Sequence, residues 1–147
     1  MKILVIYYSL TGNTQKIAET IANTLAADII QIEDKRRRTG TFGMLRAAYQ
    51  VMFSRPANIS FPSTDLYRYD LLIIGTPTWM MKLAPPMRSY ILKEKHKFTK
   101  VAFFCTEDSS GAANVFKEMQ SLCVKKPVAT LEITKAELID FTLFKRG

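Results

Sequence analysis

A short polar stretch near the N-terminus, Ser9-Leu10-Thr11-Gly12-Asn13-Thr14, has the residue types of an anion-binding loop. It directly follows the apolar run Ile3–Tyr8 and precedes a helical pattern that begins near Thr14. Amides at a helix start lack intrahelical partners, and the helix dipole favours a negative charge there. The hydroxyl side chains add hydrogen-bond donors, while Gly12 lets the backbone approach a ligand closely. The stretch therefore predicts a phosphate site between a strand and a helix.

Two later segments also follow apolar runs and are candidates for contact with the same ligand. Thr76-Pro77-Thr78-Trp79 contains the only tryptophan of the chain and is followed by Met80 and Met81. In a loop, this tryptophan is better explained by stacking on an aromatic ligand than by core packing. Thr106-Glu107-Asp108-Ser109-Ser110-Gly111 offers backbone amides and small side chains to the polar edge of such a ring.

Other ligand classes are disfavoured by what the sequence lacks. No lysine follows Gly12 in the manner of a nucleotidase phosphate loop, and no G-x-G-x-x-G dinucleotide fingerprint is present. The single histidine, His96, lies in a charged run, and Cys105 and Cys123 fit buried thiols better than a metal site. We therefore predict no catalytic side chain and no metal.

Composition and charge set the broad class. The 147 residues fit one domain spanning 1–147, and 48% of them are hydrophobic. The net charge of +8 is compatible with an anionic partner, but a merely basic surface is favoured because no nucleic-acid motif accompanies it. No apolar run is long enough to span a bilayer and the N-terminus does not read as a signal peptide, so we expect a cytoplasmic protein.

Apolar runs alternate with helical patterns along the chain, which predicts a parallel sheet covered on both faces. The predicted strands are Lys2–Tyr8, Asp28–Glu33, Asp70–Thr76, Val101–Cys105 and Pro127–Ile133. The predicted helices are Thr14–Ala26, Phe42–Phe53, one starting at Ala84-Pro85-Pro86, Ala112–Leu122, and Lys135–Phe144 behind a capping box of Thr134 and Glu137. Ligands bind such sheets at the carboxyl ends of the strands, where the three loops should converge.

The segment at about 35–62 is irregular and reads as an insertion. It contains Arg36-Arg37-Arg38 and two loop prolines on either side of Ile59. Its helical pattern at Phe42–Phe53 predicts one apolar face, on the side opposite Arg46 and Gln50, which periodicity alone does not assign to a core or to a dimer interface. The residues of that face are Met44, Leu45, Ala48, Val51 and Met52.

Over nearly its whole length the chain resembles the flavodoxin family. The Ser9–Thr14 stretch is similar to that family's FMN phosphate loop, and Thr76–Trp79 and Thr106–Gly111 to its two ring-binding loops. The resemblance implies a three-layer, doubly wound α/β fold with five parallel strands in the order 2-1-3-4-5, and FMN as cofactor. The residues it implies at the cofactor are Ser9, Thr11, Gly12, Asn13, Thr14, Pro77, Thr78, Trp79, Met80, Thr106, Glu107, Asp108, Ser109 and Gly111.

The chain also departs from a typical flavodoxin. It is basic where electron-carrying flavodoxins are usually acidic, and it carries the insertion. Thr106–Gly111 contains no aromatic residue, so a second stacking face is absent or comes from Tyr7, Tyr8 or the Phe42–Phe53 helix.

The leading functional prediction is an FMN-binding protein that carries electrons between redox partner proteins, including acidic ones. The alternative is an FMN-dependent NAD(P)H:quinone-type oxidoreductase. Arg36–Arg38, Arg46 and Arg55 would then be candidates for contacting an anionic cofactor, although a solvated loop explains the arginine run slightly better. A third class is a non-redox binding module with the same fold.

Overall fold

A parallel β-sheet forms the centre of the protein in a computed structural model, which describes residues 1–36, 40–52, 57–108 and 110–138. The strands are β1 Ile3–Tyr7, β2 Asp28–Gln31, β3 Glu33–Asp34, β4 Ile59–Ser60, β5 Leu71–Trp79, β6 Lys82–Leu83, β7 Lys100–Glu107 and β8 Thr130–Thr134. The helices are α1 Asn13–Leu25, α2 Gly40–Met52, α3 Pro85–Glu94 and α4 Ala112–Cys123. Strands β2, β1, β5, β7 and β8 lie side by side in that order, all parallel, which confirms the predicted fold class and strand order.

The two faces of this sheet are both apolar and both covered by helices. Successive side chains of a strand point to opposite faces, so Leu4 and Ile6 of β1 join one core while Val5 and Tyr7 join the other. The first core contains side chains of α3 and α4, and the second contains side chains of α1. Burial on both faces explains why β1, β5 and β7 read as continuous apolar runs.

Strand β5 extends beyond the predicted strand and turns into a hairpin. Asp70–Thr76 was expected to end in a loop, but β5 continues to Trp79 and pairs antiparallel with β6. The two-residue connection consists of Met80 and Met81, whose φ angles are 51° and 61°. Positive φ at both positions is the geometry of a type I′ turn, which usually takes Asn-Gly. The methionine pair gives no such signal, so the hairpin could not be read from the sequence.

The predicted strand Asp28–Glu33 divides into two short strands. β2 pairs with β1 at the edge of the main sheet, whereas β3 pairs antiparallel with β4. The chain around β4 is anchored by Ser89, a buried side chain of α3. The Ser89 hydroxyl accepts a hydrogen bond from the Ala57 amide at 2.6 Å and donates one to the Ala57 carbonyl at 2.8 Å.

Helix α2 forms where the helical pattern predicts it, and part of its apolar face is exposed. Met44 and Leu45 are 69% and 63% exposed, whereas Arg46 and Ala48 are half-buried. A helical period identifies an apolar stripe without identifying the surface that covers it. The side chains of Val51 and Met52 lie outside the described residues, as do Arg37, Arg38 and Arg55. None of the helices in the described part of the chain is long and apolar enough to cross a membrane.

Candidate functional site

A cleft of about 340 Å³ opens at the carboxyl ends of the central strands. It brings together residues from all three predicted loops. The predicted site residues that line it are Thr11, Asn13, Thr14, Pro77, Thr78, Trp79, Thr106, Glu107 and Asp108. This convergence follows from the sheet, because β1, β5 and β7 are parallel neighbours and their chains leave the sheet at the same edge.

The start of α1 forms one wall of the cleft. Gly12 occupies the N-cap position with φ of 97°, a left-handed conformation that glycine adopts without a steric cost. Its amide donates to the Ser9 hydroxyl oxygen at 3.0 Å, and no side chain caps the helix. The amides of the first helical turn therefore have no side-chain cap and are available to an anion at the start of the helix. Ser9 shapes this loop and is not among the cleft-lining residues.

A buried pair of hydroxyl groups joins this wall to the central sheet. The Oγ1 atoms of Thr14 and Thr106 are 2.8 Å apart, and both residues are buried and line the cleft. One hydroxyl hydrogen is used in this bond, so the other is left for a second acceptor. Thr106 was expected at a ring-binding loop, but its hydroxyl group lies against the predicted phosphate loop.

The segment after β7 is braced by the start of α4. The buried Glu107 carboxylate accepts a hydrogen bond from the Ala112 amide at 3.0 Å, where the helix dipole stabilises a negative charge. Gly111 has φ of 113°, and a Cβ atom there would lie 2.8 Å from the Met81 Cα atom. The segment is thus packed directly against the β5–β6 hairpin. Ser109, a predicted cofactor residue, lies outside the described residues.

The hairpin supplies the aromatic side of the cleft. Trp79 is half-buried and its ring lies edge-on to Tyr8, with centroids 5.7 Å apart. Tyr7 and Tyr8 are buried and are not cleft-lining residues, so neither provides the second stacking face considered from the sequence. Burial, together with the charges of Glu19 and Glu33, raises the pKa of Tyr7. Met80 is 57% exposed and does not line the cleft.

Thr78 contributes a polar atom that lacks a good partner. Its Oγ1 atom is buried and makes no hydrogen bond of good geometry to the described residues. The thiol of Cys105 interacts with it weakly, and burial is the larger influence, raising the pKa of that thiol to about 11. Buried polar atoms normally have a hydrogen-bond partner. A ligand in the cleft would supply one, since Thr78 lines it.

Two cleft-lining residues, Lys135 and Leu138, have no signal in the sequence, and Leu10 lines the cleft from within the predicted phosphate loop. Lys135 and Leu138 belong to helical residues 135–138, which follow β8. The predicted capping box is confirmed there, because the Thr134 amide donates to Glu137 at 2.8 Å and the Glu137 amide donates to the Thr134 hydroxyl at 3.4 Å. The rest of the helix predicted to reach Phe144 lies outside the described residues.

Comparison with known proteins identifies the class of protein that this fold and cleft define. The sequence profile of the flavodoxin family matches residues 2–139, and the chain belongs to that family. A flavoprotein from Lactobacillus acidophilus, solved in complex with FMN, has a similar fold, with a TM-score of 0.78 at 20% identity over 96% of this chain and 98% of that one. The predicted family is therefore confirmed.

Two curated relatives match part of the chain. Both are named NAD(P)H dehydrogenase (quinone). The relative from Gluconacetobacter diazotrophicus is 33% identical over 89 residues, or 60% of this chain and 44% of that protein. The relative from Cupriavidus metallidurans is 27% identical over 90 residues, or 61% of this chain and 45% of that protein. The match thus spans less than half the length of each relative.

Proposed function

We propose that this protein binds FMN in the cleft and transfers electrons between redox partner proteins. The observation that carries the proposal is the convergence of the uncapped α1 start, the Trp79 hairpin and the chain end of β7 around one cleft. FMN itself follows from membership of the flavodoxin family, which confirms the cofactor predicted from the sequence. When bound, FMN supplies the one- and two-electron redox chemistry.

The donor set of the cleft fits this cofactor. The phosphate of FMN needs amide and hydroxyl donors, which the α1 start and the Thr14–Thr106 pair provide. The ring needs an apolar surface and polar contacts at its edge. Trp79 offers the surface, and the buried Thr78 hydroxyl, which interacts only weakly with the Cys105 thiol, is a polar contact beside it. Apart from Ser9, Met80, Gly111 and Ser109, the predicted residues line the cleft or, like Gly12, shape its wall.

The ionisable groups at the cleft favour electron transfer over acid–base chemistry. Among the described lining residues these groups are Glu107, Asp108 and Lys135. Glu107 is held at the start of α4, and neither histidine nor cysteine lines the cleft in this part of the chain. The protein's own role is therefore to orient the cofactor and to control the access of water and partners to it.

The hairpin turn is the proposed contact for a redox partner. Met80 and Met81 are 57% and 50% exposed in the turn that follows the cleft-lining Trp79, and methionine side chains adapt to varied apolar surfaces. The net charge of +8 favours an acidic partner.

The alternative is an FMN-dependent oxidoreductase that takes hydride from NAD(P)H and reduces a quinone-type acceptor. The names of the two curated relatives favour it. Arg36 is exposed and would be available to an anionic cofactor. Arg46 is half-buried and already interacts within the protein, which makes it a weaker candidate.

A visible spectrum followed by anaerobic reduction tests the proposal. We expect the protein to take up FMN with a shifted absorption band, and to stay oxidised when NADH or NADPH is added without a separate reductase. Rapid bleaching of the flavin by either nicotinamide would contradict the electron-carrier proposal and support the oxidoreductase. A protein that is colourless after incubation with FMN and removal of the free flavin would support the third class, a non-redox binding module.

A further inference from the structure

We propose that Lys135 is a cofactor-binding residue that balances the phosphate charge and makes the cleft selective for FMN over unphosphorylated riboflavin. The inference rests on the proposed function, because it assigns a role within the same cleft. Lys135 lines that cleft although no sequence motif indicated it. It carries a charge that the predicted phosphate loop itself lacks.

The register of the sheet places Lys135 at the correct edge. β8 runs parallel to β7, with Thr134 opposite Glu107 and Ile133 opposite Thr106. Lys135 is the next residue after β8, so its backbone lies beside the chain segment that holds Glu107. The two hydrogen bonds of the Thr134–Glu137 capping box then fix the direction in which the chain leaves the sheet.

The packing of Leu138 shows which face of the sheet this turn covers. Leu138 is 7% exposed and belongs to the core that contains Ile17 and Ala18 of α1. Residues three apart on a helix lie on the same side, and both Lys135 and Leu138 line the cleft. Lys135 therefore lies on the α1 side of the sheet, where Thr14 of the first helical turn bonds to Thr106.

The charges that line the cleft would be more negative with FMN bound, which favours a cation at this place. Among the described lining residues, Glu107 and Asp108 carry negative charge and Lys135 is the only cation. The phosphate of FMN adds close to two further negative charges at neutral pH. An opposite charge near the phosphate favours binding of FMN, whereas riboflavin lacks that group and gains nothing from it.

The test compares two flavins and two lysine variants by fluorescence titration of the apoprotein. We expect Lys135→Gln to weaken FMN binding about tenfold at low ionic strength and to leave riboflavin binding within about twofold. Added salt should shrink the FMN difference, because a partly exposed charge pair is screened. Lys135→Arg should restore most of the affinity. The matched control is Lys117→Gln, because Lys117 is an exposed α4 residue outside the cleft; its affinity for both flavins should be unchanged.

Each outcome has a distinct meaning. Unchanged FMN affinity in Lys135→Gln, or an equal loss for FMN and riboflavin, would overturn the role of Lys135 while leaving the FMN cleft intact. An equal loss of FMN affinity in Lys117→Gln would show that net charge alone causes the effect, which would also overturn the role of Lys135. Absence of FMN binding by the unaltered protein would overturn the proposed function itself.

Discussion

The cleft and helix α2 are two regions that the sequence predicts from different kinds of signal. At the cleft, predicted segments far apart in the chain meet, through the buried Thr14–Thr106 hydrogen bond and the close packing of Gly111 against the hairpin turn at Met81. On α2, an apolar face stays open to solvent. We call this the α2 surface; its residues are Phe42, Met44, Leu45 and Tyr49, with exposures from 84% down to 54%. The parallel topology of the sheet brings the cleft residues together, whereas the apolar face of α2 was predicted from helical periodicity alone.

The largest expected effect concerns a matched pair of glycines at two helix starts. Gly12 and Gly111 both have positive φ, but an added Cβ atom at Gly12 meets nothing within 4 Å. We expect Gly111→Ala to lower the free energy of unfolding by about 3 kcal/mol or more, and Gly12→Ala by about 1 kcal/mol from strain alone. Urea denaturation of both variants measures the difference. Equal losses of stability in the two variants would show that the hairpin leaves room for a Cβ atom at Gly111.

Alkaline pH should destabilise the protein through the thiol beneath the cleft. Burial raises the pKa of Cys105 from 9.0 to about 11. Above pH 9 the thiol of the unfolded chain loses its proton before the thiol of the folded protein does. The contribution of Cys105 to the free energy of unfolding is therefore fully present below pH 9 and is lost as the pH rises towards 11. The free energy of unfolding should fall by roughly 2 kcal/mol over this range. Denaturation curves recorded from pH 8 to about 11 should show a smaller fall for Cys105→Ala than for the unaltered protein. An unchanged pH dependence in this variant would contradict the assignment.

Loss of the buried hydroxyl pair should have a moderate effect. Thr106→Val keeps the shape of the side chain but leaves the Thr14 hydroxyl without this partner, which we expect to cost about 1–2 kcal/mol of stability. Thr14→Val combined with Thr106→Val should cost less than the sum of the two single changes, because the lost bond is the same. Additive losses in this double-mutant cycle would show that the bond contributes little.

The smallest effect is expected on the α2 surface. Leu45 is 63% exposed, so Leu45→Gln should change the free energy of unfolding by less than about 0.5 kcal/mol. FMN affinity should stay the same, because Leu45 is not a cleft-lining residue. A thermal unfolding curve checks the first point and a fluorescence titration the second. A stability loss above about 1 kcal/mol would contradict this and show that Leu45 is packed against the core.

Sequence reasoning succeeded where a residue's surroundings follow from chain order. Apolar runs such as Lys2–Tyr8 and the Thr134–Glu137 capping box are local signals, and parallel topology then brings their ends together. The failures lie where the decisive partner is distant in sequence. Met80 and Met81 adopt a turn that their residue types do not favour, and their turn is packed against Gly111. Lys135 reaches the cleft because β8 pairs with β7, a fact that no local pattern contains.

Amide chemical shifts of the ¹⁵N-labelled protein during FMN addition test the central claim most directly, since they compare the two regions in one experiment. We expect the largest shifts at Gly12–Thr14, at Thr78 and Trp79, and at Thr106–Asp108, with the amides of the α2 surface nearly unchanged. Shifts concentrated on Phe42–Tyr49, with the α1 start unchanged, would contradict the assignment of FMN to the cleft.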